Sequence, residues 1–352
     1  MGESSTHRSS LPDHAQKQGR QNLNDKSPDS WSYHSDGKVR QSSQSMDTID
    51  ASKPGSIEST ADPLLLNAIA ATMRILPRGR GVFARWMGST FSSYLSSCHF
   101  TTRHGAKLAI APSSLDLIAT AKIWDNAWEH WVYDSCKWVM PPDGVIYDIG
   151  ANVGYIAIEM LHELSGCKGV LFEPQPPLAK ALRRSIELNN FQDRAWLQEI
   201  ALSDSSGTAS LNLFRHDGHA SLSRNDASIK QIKVSTMTLD QAVQEFDLPL
   251  PDVIKLDVEG HEISVIAGGE KVLTQARPSI CFECSDNQQF REIRNRLARC
   301  GDYTFLLAAG SYRPITTLAD GDSLSGKTDI LAIESSRRDQ LPPALQALFP
   351  RT

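Results

Sequence analysis

From residue 144 onward, hydrophobic and polar positions change period in a regular way. Short apolar runs alternate with amphipathic stretches, the pattern of strands and helices in a parallel α/β sheet. The apolar runs predict strands at 144–149, 168–173, 196–202, 252–257, 278–283, 304–308 and 329–334. The amphipathic stretches predict helices near 153–164, 176–190, 262–275 and 287–299. The expected fold is α/β: a doubly wound, mostly parallel, seven-stranded sheet whose last two strands close it as a hairpin-like edge. Residues 207–247 interrupt the alternation and carry β-like runs of their own at 209–214 and 232–237.

Upstream the periods differ. Residues 62–96 read as helical, with Leu65, Ile69, Met73 and Ile75 on one face, a break at 77–81 and a second helix at 82–95. Residues 99–112 read as a hairpin turning at His104-Gly105, and 115–140 as a helix carrying Trp124, Trp128, Trp131 and Trp138. The first three Trp form one stripe, read as packing against the sheet rather than as a wall of a substrate pocket. Arg74, Arg78, Arg80 and Arg85 read as a solvated face. Residues 1–60 hold 14 Ser and only 11 apolar or aromatic residues, without periodicity. Such a segment buries too little surface to offset its chain entropy. The expected organisation is therefore a disordered Ser-rich tail (1–60) and a helical and hairpin extension that caps or flanks the substrate side (61–140). The α/β domain (141–337) and a C-terminal tail (338–352) follow.

Charge and composition narrow the partners. A net charge of −5 supplies no basic footprint for nucleic acid. No apolar run reaches the roughly 18 residues of a membrane span; the best, 64–75, is interrupted by Asn67 and Arg74. The first 60 residues have 8 acidic against 7 basic side chains and no apolar signal core, so a cytoplasmic location is expected. Cys281 and Cys284 form a lone C-x-x-C in an apolar strand and read as buried thiols.

The candidate chemistry lies at strand ends. Residues 147–155, YDIGANVGY, run from a strand through a turn with Gly150 and Gly154 into a helix. Glycine lets backbone approach a ligand, and the helix start offers unpaired amides. Asp148, at the end of the first strand, suits a cofactor carrying an ammonium and a sulfonium, as S-adenosylmethionine (SAM) does. Glu173 ends the second strand, where an acid accepts hydrogen bonds from ribose hydroxyls in nucleotide-binding α/β folds. The spacing is Gly150-x-x-x-Gly154 rather than G-x-G-x-x-G, which favours SAM over a dinucleotide. The fourth strand reads DVIKLDVEGHE, 252–262. If it stays extended to its tip, Lys255, Asp257, Glu259 and His261 project to one side. Asp148, Glu173 and Asp257 should then converge on the crevice at the topological switch point. A buried Lys255 needs an acid on a neighbouring strand, either Asp148 or Glu283.

Taken as an ordered set, YDIGANVGY (147–155), VLFEP (170–174), ALSD (201–204), Thr238-Leu239-Asp240, IKLDVEGHE (254–262), Gly268-Gly269 and SICFE (279–283) resemble the FkbM family of SAM-dependent methyltransferases. That family belongs to the class I, Rossmann-like methyltransferases. The resemblance spans about 145–335, roughly half the chain. It implies methyl transfer from SAM to a hydroxyl, usually on a sugar or a polyketide-like natural product. Carried over by position, Asp148, Gly150, Asn152 and Gly154 fall on the first SAM motif and Glu173 on the ribose-binding acid. Ser203 and Asp204 fall at the adenine edge, and Asp257 and Glu259 at the methionine end and substrate side. His261 is the expected general base, since an imidazole titrates near neutrality, with Asp257 beside it; His216 and His219 are rivals. Asp257 and Glu259 are hard oxygen ligands, but no third ligand accompanies them, so no metal site is assigned. The alternatives are an NAD-dependent oxidoreductase on a similar fold and a non-catalytic SAM-binding protein.

Overall fold

A computed structural model of the chain describes residues 72, 80–102, 104–114, 130–213, 220–222, 230–308, 312–314, 324, 327–341 and 343–346. The expected disordered tail (1–60), most of the first helix, Trp124, Trp128, His216 and His219 lie outside these residues.

In chain order, helix α1 (Arg80–Thr90) leads to the hairpin β1 (His99–Thr101) and β2 (Lys107–Ala109). Helix α2 (His130–Val139) follows, then β3 (Val145–Ile149), α3 (Tyr155–Glu163), β4 (Lys168–Phe172), α4 (Pro176–Leu188) and β5 (Ala195–Gln198). Strand β6 (Ala201–Leu202) precedes the interrupting segment, which holds β7 (Gly207–Leu213), β8 (Ala220–Ser221), β9 (Lys230–Met237) and α5 (Leu239–Glu245). The domain closes with β10 (Val253–Leu256), α6 (Glu262–Ala267), α7 (Glu270–Ala276), β11 (Ser279–Cys284), α8 (Asn287–Cys300), β12 (Tyr303–Ala308), β13 (Tyr312–Pro314) and β14 (Thr328–Glu334).

All seven strands expected from the apolar runs pair in one sheet. Its order is β13-β12-β14-β11-β10-β3-β4-β5, the three-residue β13 adding an eighth strand at the edge. Strands β11, β10, β3, β4 and β5 are parallel. Strand β14 inserts antiparallel between β11 and β12. The order reverses between β3 and β10, so their carboxyl ends frame the switch-point crevice.

Each face of the sheet carries its own core. One contains Ile146, Val253, Cys281 and Leu331 under α2, α3 and α4. The other contains Tyr147, Ile254, Phe282 and Ile330 under α5 to α8. Cys281 and Cys284 are buried free thiols on opposite faces, as strand alternation requires. The helices follow sequence signals. Helix α4 starts at Pro176 and buries Leu178, Ala181, Leu182, Ser185 and Ile186 at helical spacing. In α8, the Asp286 carboxylate caps the amides of Gln288 and Gln289, while Phe290, Ile293 and Leu297 face the core. The hairpin docks on α4: Ser185 Oγ accepts from the Ala109 amide at 2.9 Å, and Asn189 Oδ1 from the Lys107 amide at 2.9 Å. Trp131 and Trp138 pack half-buried on the first core.

Three expectations are corrected. The third strand is two: β5 ends at Gln198, and β6 pairs with β9 in a separate four-stranded sheet, order β6-β9-β7-β8. The interrupting segment also contains α5, started by Thr238, whose hydroxyl accepts from the Gln241 amide. The helix expected over 262–275 breaks at Gly268-Gly269 into α6 and α7. A Cβ on Gly268 would lie 2.1 Å from the Ser203 carbonyl, so the chain narrows there to let β6 approach. Asp240 accepts from the amides of Lys271 and Val272 and so caps the second piece.

Gly150 shows the closest backbone approach. It has φ of 77°, and an added Cβ would sit 2.0 Å from the Asp257 carbonyl oxygen. Gly260 has φ of 92° with nothing within 4 Å of such a Cβ. Gly150→Ala therefore carries both a left-handed penalty of roughly 1–2 kcal/mol and a backbone collision, whereas Gly260→Ala carries the penalty alone. Chemical denaturation should show the first variant much less stable than the second; equal losses would contradict the collision.

Candidate active site

A cavity opens at the carboxyl ends of β3, β4 and β10. Its lining includes Asp148, Gly150 to Asn152, Glu173 to Gln175, Lys255, and Asp257 to Glu259 with His261. Ile200 to Leu202 form a further wall, and Leu211 and Leu222 reach in from the second sheet. Among the described residues, none from 80–114 or 130–139 lines it.

The floor is an ion pair inside the sheet. Lys255 is 4% exposed and stands in register with Asp148, which is 1% exposed. The ammonium lies 3.4 Å from Asp148 Oδ1 and 3.7 Å from Asp257 Oδ2, and donates to the Gly150 carbonyl at 2.8 Å. Asp148 is thus the partner that Lys255 requires. The other candidate, Glu283, pairs with Lys327 at 2.9 Å instead. Burial raises the Asp148 pKa, against the pull of Lys255 and a hydrogen bond from the Ala157 amide.

The glycine turn is built differently from the expectation of open amides. The amides of Gly150 and Ala151 donate to the Phe172 carbonyl, and that of Gly154 to Ala151. Glu173, 3% exposed, accepts from the Asn152 amide through Oε2 and from the Gln175 amide through Oε1, each at 2.9 Å. Those amides are spent inside the protein and cannot cradle a pyrophosphate. Gly154, with φ of 80°, makes room for Leu182 of α4 rather than for a ligand. Each Glu173 oxygen keeps a lone pair for a further donor. Its carboxyl is pushed up to about 7 by burial, opposed by the two amides. Asn152, at φ of 51°, lines the cavity with a buried Oδ1 that has no hydrogen-bond partner.

The fourth strand does not stay extended to His261. It ends at Leu256, and Glu259 (φ 55°) and Gly260 (φ 92°) make a left-handed turn. Glu262, fully buried, holds that turn: Oε1 accepts from the amides of Val258 and Gly260 at 3.1 Å, and Oε2 from Gln289 at 2.6 Å. Sequence reasoning missed this role, although an acid opening a helix after a glycine turn is a recognisable capping signal. The turn brings Glu259 against Lys327, at 2.6 Å, at the cavity lining. His261 lines the cavity, its Nε2 2.9 Å from Ser203 Oγ. Burial lowers the His261 pKa, with Asp204 pulling the other way. Ser203 and Asp204 are not among the lining residues; the wall there is Ile200, Ala201 and Leu202. The carboxylates of Asp257, Glu262 and Glu283 gather within 4.8 Å, but both oxygens of Glu262 are occupied by the turn and Gln289.

Two buried carboxylates and a third at the cavity mouth, on three adjacent parallel strand ends with an orphaned amide oxygen beside them, suit a ligand rich in hydroxyl and amino donors. SAM has that donor set, so the residues present fit it. Residues 148–303 match the family model described as the methyltransferase FkbM domain. The chain is 34% identical over 165 residues to the 2-O-methyltransferase NoeI of Sinorhizobium fredii, covering 42% of this chain and 66% of that protein. It is 31% identical over 147 residues to the hexuronic acid methyltransferase AglP of Haloferax volcanii, covering 40% of this chain and 54% of that one. The match thus spans about half to two thirds of these relatives' lengths. Among solved structures, a methyltransferase FkbM from Methylobacillus flagellatus aligns at a TM-score of 0.37 and 13% identity, covering 62% of this chain and 54% of its own. No helix among the described residues is long and apolar enough to cross a membrane.

Two stability predictions follow from the charges. Lys255→Met leaves Asp148 buried without its cation, which should cost about 3–5 kcal/mol; a variant as stable as the parent in denaturant would refute the pairing. The second concerns Asp329, in register with Glu283 across β11 and β14. Burial raises both carboxyls to about 7, and like charge from Asp257 adds to it. An unfolded carboxyl ionises near pH 4, so the unfolded chain releases these protons first. Their contribution to stability is full below about pH 4 and is lost as pH rises towards 7. Asp329→Asn cannot ionise, so its melting temperature should gain on the parent's between pH 5 and pH 8. Parallel melting profiles would contradict the shift.

Proposed function

Taking as premise that residues 148–303 form a methyltransferase domain of the FkbM family, we propose that the protein transfers a methyl group from SAM to a hydroxyl of a sugar or polyketide-like small molecule. The observation that carries this is the meeting of Asp148, Glu173 and Asp257 in one cavity at the switch point. The oxygen acceptor is supported by two relatives, one named a 2-O-methyltransferase and one that acts on a hexuronic acid.

When bound, SAM supplies a methyl group already activated on a sulfonium. Glu173 is the group we assign to the ribose hydroxyls, through the lone pairs its backbone donors leave free. Asn152 Oδ1 and the rim of Asp148 are assigned to donors of the methionine end and the ribose; Gly150 and Gly154 shape the turn that presents them. Ala201 and Leu202 offer an apolar wall to the adenine ring, with Ser203 and Asp204 behind it. Asp257 is one-third exposed at the cavity mouth and can accept a hydrogen bond from the acceptor hydroxyl. That contact orients the oxygen, and orientation of this kind is worth on the order of 7–11 kcal/mol of barrier. His261 stays in its neutral, proton-accepting form because burial lowers its pKa, and it shares the base role with Asp257 in this proposal. Glu259 supports the acceptor side through Lys327.

The test separates binding from turnover. Glu173→Ala should weaken SAM binding in calorimetry by about 1.5–3 kcal/mol. Asp257→Asn should lower the rate of methyl transfer to hydroxylated acceptors while leaving the melting temperature near the parent's. SAM affinity untouched by the first change, or full activity after the second, would remove that residue from its assigned role.

A further inference from the structure

Charge is unevenly spread along the chain. From residue 63 to residue 115 there are six basic side chains, Arg74, Arg78, Arg80, Arg85, Arg103 and Lys107, and no acidic one. The rest of the chain holds 30 basic against 41 acidic side chains. A positive stretch is thus set against an acidic remainder, in a protein whose net charge is −5.

Helix α1 lies within that stretch and presents apolar surface on two sides. Inward, Met87 is buried in the first core and Phe83 packs half-buried against it. Outward, Val82 is 63% exposed and Trp86 58% exposed, one helical turn apart. They are the most exposed large hydrophobic side chains among the described residues. The Phe83 and Trp86 rings are 6.1 Å apart, so the apolar surface runs on from the core to the outer side of the helix. Neither Val82 nor Trp86 lines the cavity, so methyl transfer does not account for their exposure.

The charge decides what fits this face. Burial against another protein would cover Val82 and Trp86 but makes no use of six cations without a carboxylate. Anionic lipid headgroups offer negative charge over a wide area and attract basic segments. An indole suits the boundary between headgroups and acyl chains. The 11 residues of α1 measure roughly 16 Å, about half of a bilayer's apolar core. The helix can therefore lie in the membrane plane but cannot cross it.

We propose that α1 is a membrane-surface contact. Val82 and Trp86 enter the boundary of an anionic lipid layer, and the carboxylate-free stretch around them supplies the attraction. The apolar contact is small, so both contributions are needed for binding. This contact is independent of the methyl-transfer reading.

The full chain is sedimented with vesicles of phosphatidylcholine alone and with vesicles in which about a third of the lipid is phosphatidylserine. The parent should bind the anionic vesicles and not the neutral ones. Salt at about 0.5 M should release it, because screening shortens the reach of the charges. Val82→Ser with Trp86→Ser should weaken binding about tenfold or more, with SAM affinity and melting temperature as in the parent. Trp86→Phe keeps an apolar ring and should still bind. It should lose part of the quenching of tryptophan fluorescence by brominated acyl chains, because the indole in the lipid is gone. Equal or absent sedimentation with the two vesicles, or a double variant that binds like the parent, overturns the inference. Self-association that the double variant abolishes, without vesicle binding, makes the face an interface between two copies and overturns it as well. If the double variant melts early, Trp86→Phe decides: quenching unchanged from the parent's overturns the inference.

Discussion

The site depends on a lysine inside a parallel sheet. Lys255 is surrounded by apolar strands and would be untenable there without Asp148 in register and the Gly150 carbonyl within 2.8 Å. Its three contacts constrain more than charge. The Gly150 carbonyl reaches the ammonium in a turn with φ of 77°, and the same turn leaves no space for a side chain against the Asp257 carbonyl. Strand β10 is thereby held tightly against the end of β3. Asp257 then has one place to go, the mouth of the cavity beside Asp148. Asp257, at the cavity mouth, is thus held beside a cation two residues deeper on the same strand.

Much of this was readable from residue types and periods. The apolar runs from 144 to 334 predict the seven principal strands because a strand buried on both faces leaves an uninterrupted signal. Asp148, Glu173 and Asp257 were legible because acids at the ends of such runs are otherwise costly. Pattern alone could not supply the local geometry. Reading β10 as extended to His261 missed the turn held by Glu262, because alternation says nothing of where a strand stops. The glycines of the first motif invite a reading of open amides. In the fold they serve packing, Gly150 against the Asp257 carbonyl and Gly154 against Leu182. Asp329 stands out as an acid in an apolar strand only once β14 is known to lie beside β11 rather than at the edge.

A well-formed hydrogen bond joins the interrupting segment to the crevice. Ser221 of β8 is buried and donates through its hydroxyl to the Glu259 carbonyl at 2.8 Å. Glu259 is the left-handed residue of the turn that Glu262 holds, so the second sheet is anchored to the least regular backbone of the site. That anchor is why Leu211 and Leu222 can line a cavity otherwise made by the main sheet. The wall they supply is apolar, while the end of β10 carries Asp257 and Glu259. A ligand spanning the cavity therefore meets two unlike surfaces. The division follows from strand order: β4, β5 and the second sheet lie on one side of the switch point, β11 and β14 on the other. Strand order thus sets the apolar wall of the cavity and the acids at the end of β10 beside one another.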